Sequence, residues 1–279
     1  MSVLVLPVVL VAAVLHASWN ALAKAIPDRL VASSLIACAY LVGGVAGLVA
    51  FGLPAAGSVP YAVASALLQA VYLLLLTAAY RHGEFARVYP LARGMSPLLV
   101  TAVTVLVLGQ VVPVGALLGI ALIVGALAAL VFVGGRPKRG DGIGLAAATG
   151  AVIATYTLVD GIGVRHTSNA LGYAALLFAL QGPLLPTLGR LLSGPGFAAR
   201  LVRHAPMGLL GGVLSLLSYG AVVWAQSVGN LALVSALRET SVLFAGAIGA
   251  VFFAERFSRA RMLVTAVAVG GIVLLELAQ

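Results

Sequence analysis

The chain has 279 residues, 62% of them hydrophobic and only 8% charged, with a mean hydropathy of +1.17. A soluble domain carries about a quarter of its residues as Asp, Glu, Lys and Arg, so this composition excludes a soluble globular protein and leaves a membrane protein. The net charge of +9 then reads as basic loops at a membrane face rather than a nucleic-acid surface, and the single cysteine, Cys38, excludes a disulfide framework or a cysteine-based metal site.

Ten segments are long enough to cross a bilayer at ~20 residues each: 4–26, 30–53, 60–80, 86–108, 111–133, 143–163, 169–190, 206–228, 230–253 and 260–277. The first opens without a basic n-region or a small-residue cleavage pattern, so no removable signal peptide is expected. Near its end, His16, Asn20 and Lys24 recur every four residues, with Trp19 among them. His16 and Lys24 lie about 80° apart around a helix and roughly 12 Å along it. This polar stripe is expected to face a central cavity rather than lipid. For Lys24, snorkelling to the interface is the simpler reading. His16 is either a proton-sensitive group or a satisfied interhelical hydrogen bond.

The third span carries Gln69, Tyr72 and Tyr80, which line a cavity or merely pack. The fourth holds an intramembrane charge, Arg93, between Pro90 and Pro97, with Tyr89 and Ser96 on nearly the same face. Each proline removes a helix donor and frees the carbonyl four residues back. In lipid a freed carbonyl is tolerated only where protein or water satisfies it, so a broken helix at a substrate site is expected here, with a plain packing kink as the alternative. The glycine pairs of "GALLG" (115–119) and, later, "GLLGG" (208–212) fit close helix contacts in membranes.

A basic stretch, "GGRPKRGDG" (134–142), precedes the sixth span, whose Asp160 is either a proton carrier or a group at the membrane face. The stretch 193–206, "SGPGFAARLVRHAP", reads as a loop before the eighth span, which contributes Ser215, Tyr219 and Trp224. The ninth carries Arg238 and Glu239 about eight residues in, while Glu255 and Glu276 read as interfacial. Charges at the bilayer centre cost ~2.5–3.5 kcal/mol each on insertion scales and usually mark function. An Arg93–Glu239 ion pair that ties the chain together is one reading of these residues. Arginine clamping a carboxylate, phosphate or phosphonate is the other, and the two can coexist.

Of the 16 Lys and Arg residues, thirteen fall in the odd-numbered loops and their helix ends. Arg165 alone lies in an even-numbered loop, and Arg93 and Arg238 lie within spans. Short basic loops stay in the cytoplasm, which predicts a multi-pass protein of the cell (inner) membrane with both termini outside.

The chain also resembles itself. "GEFARVYPLARGMSPLL" (83–99) matches "GNLALVSALRETSVLFA" (229–245) at a spacing of about 146, and Arg93 falls opposite Glu239. More faintly, Ala17, Trp19 and Asn20 match Ala154, Tyr156 and Thr157 at a spacing of 137. The expected fold is therefore all-α: ten transmembrane helices as two five-helix repeats around a central cavity. The first repeat covers 1–133, the basic loop 134–142 and the second repeat 143–279. Five is odd, so the second copy enters the membrane inverted, a transporter architecture with its site near the midplane.

The motifs "HASWNALAK", "YPLARGMSPLL" and "SALRETSVLFAGAIGAVFFAER", set in ten spans, resemble the EamA-like branch of the drug/metabolite transporter superfamily. The resemblance implies a ten-helix basket whose central cavity moves small metabolites, often outward. The expected function is a secondary transporter, an exporter or exchanger of small metabolites such as amino acids or other small organic anions, working by alternating access. The alternatives are a non-transporting membrane sensor or partner subunit and, behind it, an intramembrane enzyme. The enzyme lacks support because no nucleophile–base pair or metal-ligand cluster is in register. Neither a catalytic residue, a metal nor a cofactor is expected. The expected partners are a small-molecule substrate and the bilayer, with a homodimer as a further arrangement and no nucleic acid. Substrate binding is assigned to His16, Trp19, Asn20, Gln69, Tyr72, Tyr89, Arg93, Ser96, Tyr219, Trp224, Arg238 and Glu239.

Overall fold

The structure, a computed structural model, describes residues 4–82, 85–132, 142–242, 244 and 259–278. The described residues are helical, with no strand among them. The helices are α1 (Val5–Ala25), α2 (Arg29–Phe51), α3 (Val59–His82), α4 (Phe85–Leu106), α5 (Val114–Phe132) and α6 (Ile143–Gly163). They continue as α7 (Ala170–Gln181), α8 (Leu184–Ser193), α9 (Phe197–Val228), α10 (Leu231–Arg238) and α11 (Arg259–Leu277). Six spans among the described residues are long and apolar enough to cross a membrane, one of them formed by α7 and α8 together. This is an all-α, multi-pass membrane protein.

Its exterior is apolar, unlike that of a soluble bundle, and polar side chains are buried within its apolar core. Val42, Val49, Leu67, Leu106 and Leu118 are exposed, whereas Ser34, Ser65, Thr149, Asp160, Gln226 and Glu239 are buried. Lipid is as apolar as leucine, so association rests on packing and interhelical hydrogen bonds rather than on hiding apolar surface. Helix starts are set locally. Asp28 accepts from Leu30 N and Val31 N to cap α2, Asn169 accepts from Gly172 N to cap α7, and Asn230 accepts from Ala232 N and Leu233 N to cap α10. Each cap satisfies donors that lipid cannot.

Helices distant in sequence interleave. Helix α1 packs mainly on α9 and α10, α2 on α9 and α7, α3 on α6 and α7, α4 on α6 and α5, and α5 on α11. The small-residue motifs sit at such crossings. A Cβ on Gly119 would stand 2.6 Å from Gly271 O and 2.8 Å from Leu275 N across α5/α11, and one on Gly212 would stand 2.5 Å from the Ala39 Cβ across α9/α2. Both motifs are close helix contacts. Gly119→Val is therefore expected to cost about 1–3 kcal/mol through overpacking, read as a lower melting temperature in detergent. An unchanged melting temperature would mean that the two backbones do not approach this closely in solution.

Three expectations need correction. Helix α9 begins at Phe197, so Arg200, Arg203 and His204 lie on its first turns and not in a loop. Only residues 194–196 connect α8 to α9, with Gly194 and Gly196 at positive φ. There Arg200 Nε meets Asp28 Oδ2 at 3.2 Å, which puts the start of α9 and the α1–α2 turn at one end of the bundle. The seventh span is interrupted, because Gly182 and Pro183 separate α7 from α8. The fourth span is not broken. Helix α4 runs through both Pro90 and Pro97, since one missing donor per proline is absorbed without ending the helix. The interruption falls instead in the ninth span, directly after Arg238.

Candidate functional site

The site begins with the short helix α10. Its end tightens into i→i+3 bonds: Glu239 N to Ala236 O (3.1 Å), Thr240 N to Leu237 O (3.1 Å) and Val242 N to Glu239 O (3.0 Å). Such a turn inside a span carries backbone groups and charge into the protein interior, where a continuous apolar helix would carry none. Helix α10 is buried along its whole length, so the side chains at its end face other helices rather than lipid. Its start depends on Asn230. Asn230→Ala is expected to cost about 1 kcal/mol by leaving the Ala232 and Leu233 donors unmet, measured as a fall in melting temperature. No change would show that water caps the helix instead.

At this turn Arg93 of α4 and Arg238 at the end of α10 both meet Glu239. Arg93 Nε lies 2.8 Å from Glu239 Oε2, and Arg238 Nε lies 3.7 Å from Glu239 Oε1. The exposures are 5% for Arg93, 3% for Arg238 and 1% for Glu239, so the three charges are effectively out of solvent. The Arg93–Glu239 ion pair, one of the two readings of these residues in the sequence, is present. Each guanidinium also reaches a hydroxyl: Arg93 Nη2 donates to Ser241 Oγ (3.3 Å), and Arg238 Nη2 donates to Thr157 Oγ1 (3.4 Å) on α6. Among the described residues two arginines share one glutamate, an excess of one positive charge. Around them, the Oγ atoms of Ser96 and Ser235 and Thr240 Oγ1 are buried without a hydrogen-bond partner among the described residues.

Helix α1 closes this side. Trp19 Nε1 donates to His16 Nδ1 at 3.3 Å, with the rings edge-on at 5.1 Å, and Asn20 Nδ2 donates to His16 O at 2.7 Å. Indole is only a donor, so His16 Nδ1 is the acceptor and a neutral ring carries its proton on Nε2. His16 lies close enough to Arg93 and Arg238 to feel both charges. His16, Trp19 and Asn20 are each half-buried, as side chains lining a hollow would be. Lys24, at the end of the stripe, is exposed.

On the other side stands a second cluster. Asp160 of α6 is fully buried; its Oδ1 accepts from the Tyr173 hydroxyl (2.9 Å) and its Oδ2 from the Tyr219 hydroxyl (2.5 Å). Ser65 of α3 stands near this carboxyl, and Gln69 Nε2 donates to Ser65 Oγ at 3.2 Å. Tyr156 joins the clusters: its ring is edge-on to Tyr72 at 6.0 Å and to Tyr219 at 6.2 Å. Tyr40 and Ser215 share a hydrogen bond nearby, and Phe178 touches both Tyr40 and Tyr219.

The sequence-derived residues thus fall into distinct groups. Arg93, Arg238 and Glu239 form one cluster, His16, Trp19 and Asn20 a second beside it, and Gln69, Tyr72 and Tyr219 belong to the Asp160 cluster. Ser96 lies one turn from Arg93. Trp224 packs against the apolar core of α1, α5, α9 and α10. The Tyr89 and Tyr80 side chains, together with those of Glu255 and Glu276, lie outside the described residues. Tyr156, Thr157, Tyr173 and Ser65 were missed as site residues. Two of them had a signal, because Tyr156 and Thr157 are the repeat partners of Trp19 and Asn20.

No family model and no curated protein sequence matches the chain. Solved structures do match, and the likeness is of fold: a crystal structure of a protein 16% identical in sequence superposes with a TM-score of 0.75, over 98% of this chain and 97% of that one.

Proposed function

We propose that the protein is a secondary transporter of small metabolites that bear an anionic group, such as amino acids or other small organic anions, and that the Arg93–Glu239–Arg238 cluster is its substrate site. The observation that carries this reading is the cluster itself: three charges nearly out of solvent, with, among the described residues, one positive charge in excess and hydroxyls without a partner beside it. Burying a charge without a partner is costly, and a carboxylate or phosphate fits the planar fork of arginine. A purely structural ion pair would need only one arginine.

The packing supports alternating access between two inverted five-helix repeats. Exchanging each span with the one five places on converts α1/α9 into α6/α3, α2/α9 into α7/α3 and α4/α6 into α10/α1, and every one of these pairs is in contact. The pairs α2/α7, α4/α10 and α5/α11 map onto themselves and are also in contact. Under this reading the chain crosses ten times, α4, α5 and α11 being the shorter apolar crossings and α10 beginning the ninth. The basic loops lie in the cytoplasm and both termini outside. This layout, with the motifs around His16, Arg93 and Glu239, is that of the EamA-like drug/metabolite transporters. The cluster lies where the two repeats meet, so rocking one against the other exposes it alternately to each face. An incoming anion competes with Glu239 for the arginines, which ties binding to rearrangement.

The test is solute entry into proteoliposomes, preceded by a thermal-shift screen of amino acids, organic phosphates and phosphonates, sugars and nucleosides. A ligand at 100 times its Kd adds about 2.7 kcal/mol to the folded state. Saturable entry of an anionic or zwitterionic solute is expected. If none enters while the protein is folded and correctly inserted, the sensor or partner-subunit reading replaces this one.

A further inference from the structure

We infer that Asp160 is a proton-binding site of this protein, alternately ionised and protonated in the working molecule. The case rests on what surrounds the carboxyl. It is fully buried, and among the described residues no Lys, Arg or His stands within ion-pair distance of it. Its hydrogen-bond partners are hydroxyls brought by two other helices, Tyr173 from α7 and Tyr219 from α9, with Ser65 of α3 near by.

The choice of hydroxyls matters. An arginine or a backbone N–H only donates, so it holds a carboxylate in its ionised form alone. A hydroxyl donates or accepts, so the two tyrosine hydroxyls serve a carboxylate as donors and, after rotation, a carboxylic acid as acceptors. The cage therefore satisfies both states without moving a helix. A site evolved only to bury a fixed anion would carry a cation, as Glu239 does.

The other groups that bear on Asp160 are Tyr156 on its own helix and Arg238 of α10, whose charge reaches it from beyond pairing distance. Access is through Tyr219, which is half-buried while the carboxyl behind it is closed off. A hydroxyl can pass a proton by accepting one and releasing its own, so the Tyr219 hydroxyl, bonded to Asp160 Oδ2, is the relay to the carboxyl under this inference. The balance is simple: one proton adds to a carboxylate oxygen from water on one face and leaves to water on the other, with no other bond made or broken.

The consequence for the site, which rests on the proposed function, follows from charge. Arg93, Arg238, Glu239 and an ionised Asp160 sum to zero; with Asp160 protonated one positive charge is left over. Thr157, which accepts from Arg238, sits one turn before Asp160 on α6. Coulomb's law at an effective dielectric of about 20 over about 12 Å gives roughly a tenfold change in affinity for an anion. Proton and anion therefore bind together.

The first test needs no substrate. Infrared difference spectra of the purified protein are recorded across a pH titration. The wild type is expected to show a buried carboxylic-acid band that Asp160→Asn lacks, and Tyr219→Phe, which keeps the carboxyl, is expected to move its midpoint. Identical titrations in wild type and Asp160→Asn overturn the assignment. Should Asp160→Asn fail to fold, an unmoved midpoint in Tyr219→Phe does the same. Replacing choline chloride by sodium chloride at fixed pH should leave the band in place; its loss would make the ligand sodium and overturn the proton. In the second arm, methanesulfonate, a monoanion at every pH used, serves as the anion probe in thermal-shift titrations. Its affinity is expected to be about tenfold higher at acid than at alkaline pH in the wild type and pH-independent in Asp160→Asn. An intact infrared titration with no methanesulfonate-, organic-anion- or zwitterion-induced shift at any pH supports Asp160 and rejects the anion site instead.

Discussion

Arg93→Ala is expected to abolish saturable solute entry into proteoliposomes while leaving a folded protein in the membrane. Arg93 brings charge from α4 to a turn otherwise built from α10, and its Nε lies 2.8 Å from Glu239 Oε2. Removing it leaves Arg238 and Glu239, 3.7 Å apart, as a neutral pair on the same turn. No buried charge is then orphaned, so the fold survives. The excess positive charge is gone, however, and with it the draw for an anion. Truncating one partner of a buried charged contact costs about 2–5 kcal/mol of binding, which is roughly 30-fold or more in affinity. Arg93→Lys restores the charge but not the fork, and it should recover only part of the loss. Undiminished transport by Arg93→Ala would sink the proposed site and leave the ion pair as a structural tie.

Glu239→Gln is expected to have the opposite balance, with stability lost before function can be asked about. It leaves two guanidiniums, 5% and 3% exposed, converging on one neutral amide. Breaking a buried ion pair by removing one partner costs about 3–5 kcal/mol, and here the survivors also repel each other. The order is the sharp prediction: Glu239→Gln must melt well below Arg93→Ala although each removes a single charge. Added phosphate or sulfate should recover part of the difference by taking the place of the carboxylate. If Glu239→Gln melts with the wild type, the arginines are not both charged and buried as described, and the excess positive charge behind the proposed function is lost with them.

Much of the fold was legible because lipid imposes a one-dimensional rule: a crossing helix needs a long apolar run, whatever it packs against. The run at 143–163 coincides with α6, and the first span with α1 to within a residue at each end. The errors arose where local chemistry points both ways. The stretch from 197 to 205 is charged and follows Gly and Pro, so it reads as loop, yet its Ala, Leu and Arg are good helix formers and α9 starts there. Proline suggested a break in α4 that did not occur and gave no warning in the ninth span, where no proline stands before the break. A backbone interruption is decided by which neighbours can satisfy it, and those neighbours are not local.

The candidate site divides in the same way. The self-similarity of the sequence sets Arg93 opposite Glu239, and the cost of burying an unpaired charge makes an ion pair one of the two readings of these residues. The stripe of His16 and Asn20 was visible from its period of four. By itself, then, the sequence determined the class, most of the spans and the identity of the intramembrane charges, because composition and periodicity act along the chain. The tertiary structure alone decided that Arg238 shares Glu239, that Thr157 receives Arg238, and that two tyrosine hydroxyls from α7 and α9 close on Asp160. Those contacts join residues up to 81 positions apart, and only the crossing of helices, set by small residues such as Gly119 and Gly212, brings them within hydrogen-bond reach.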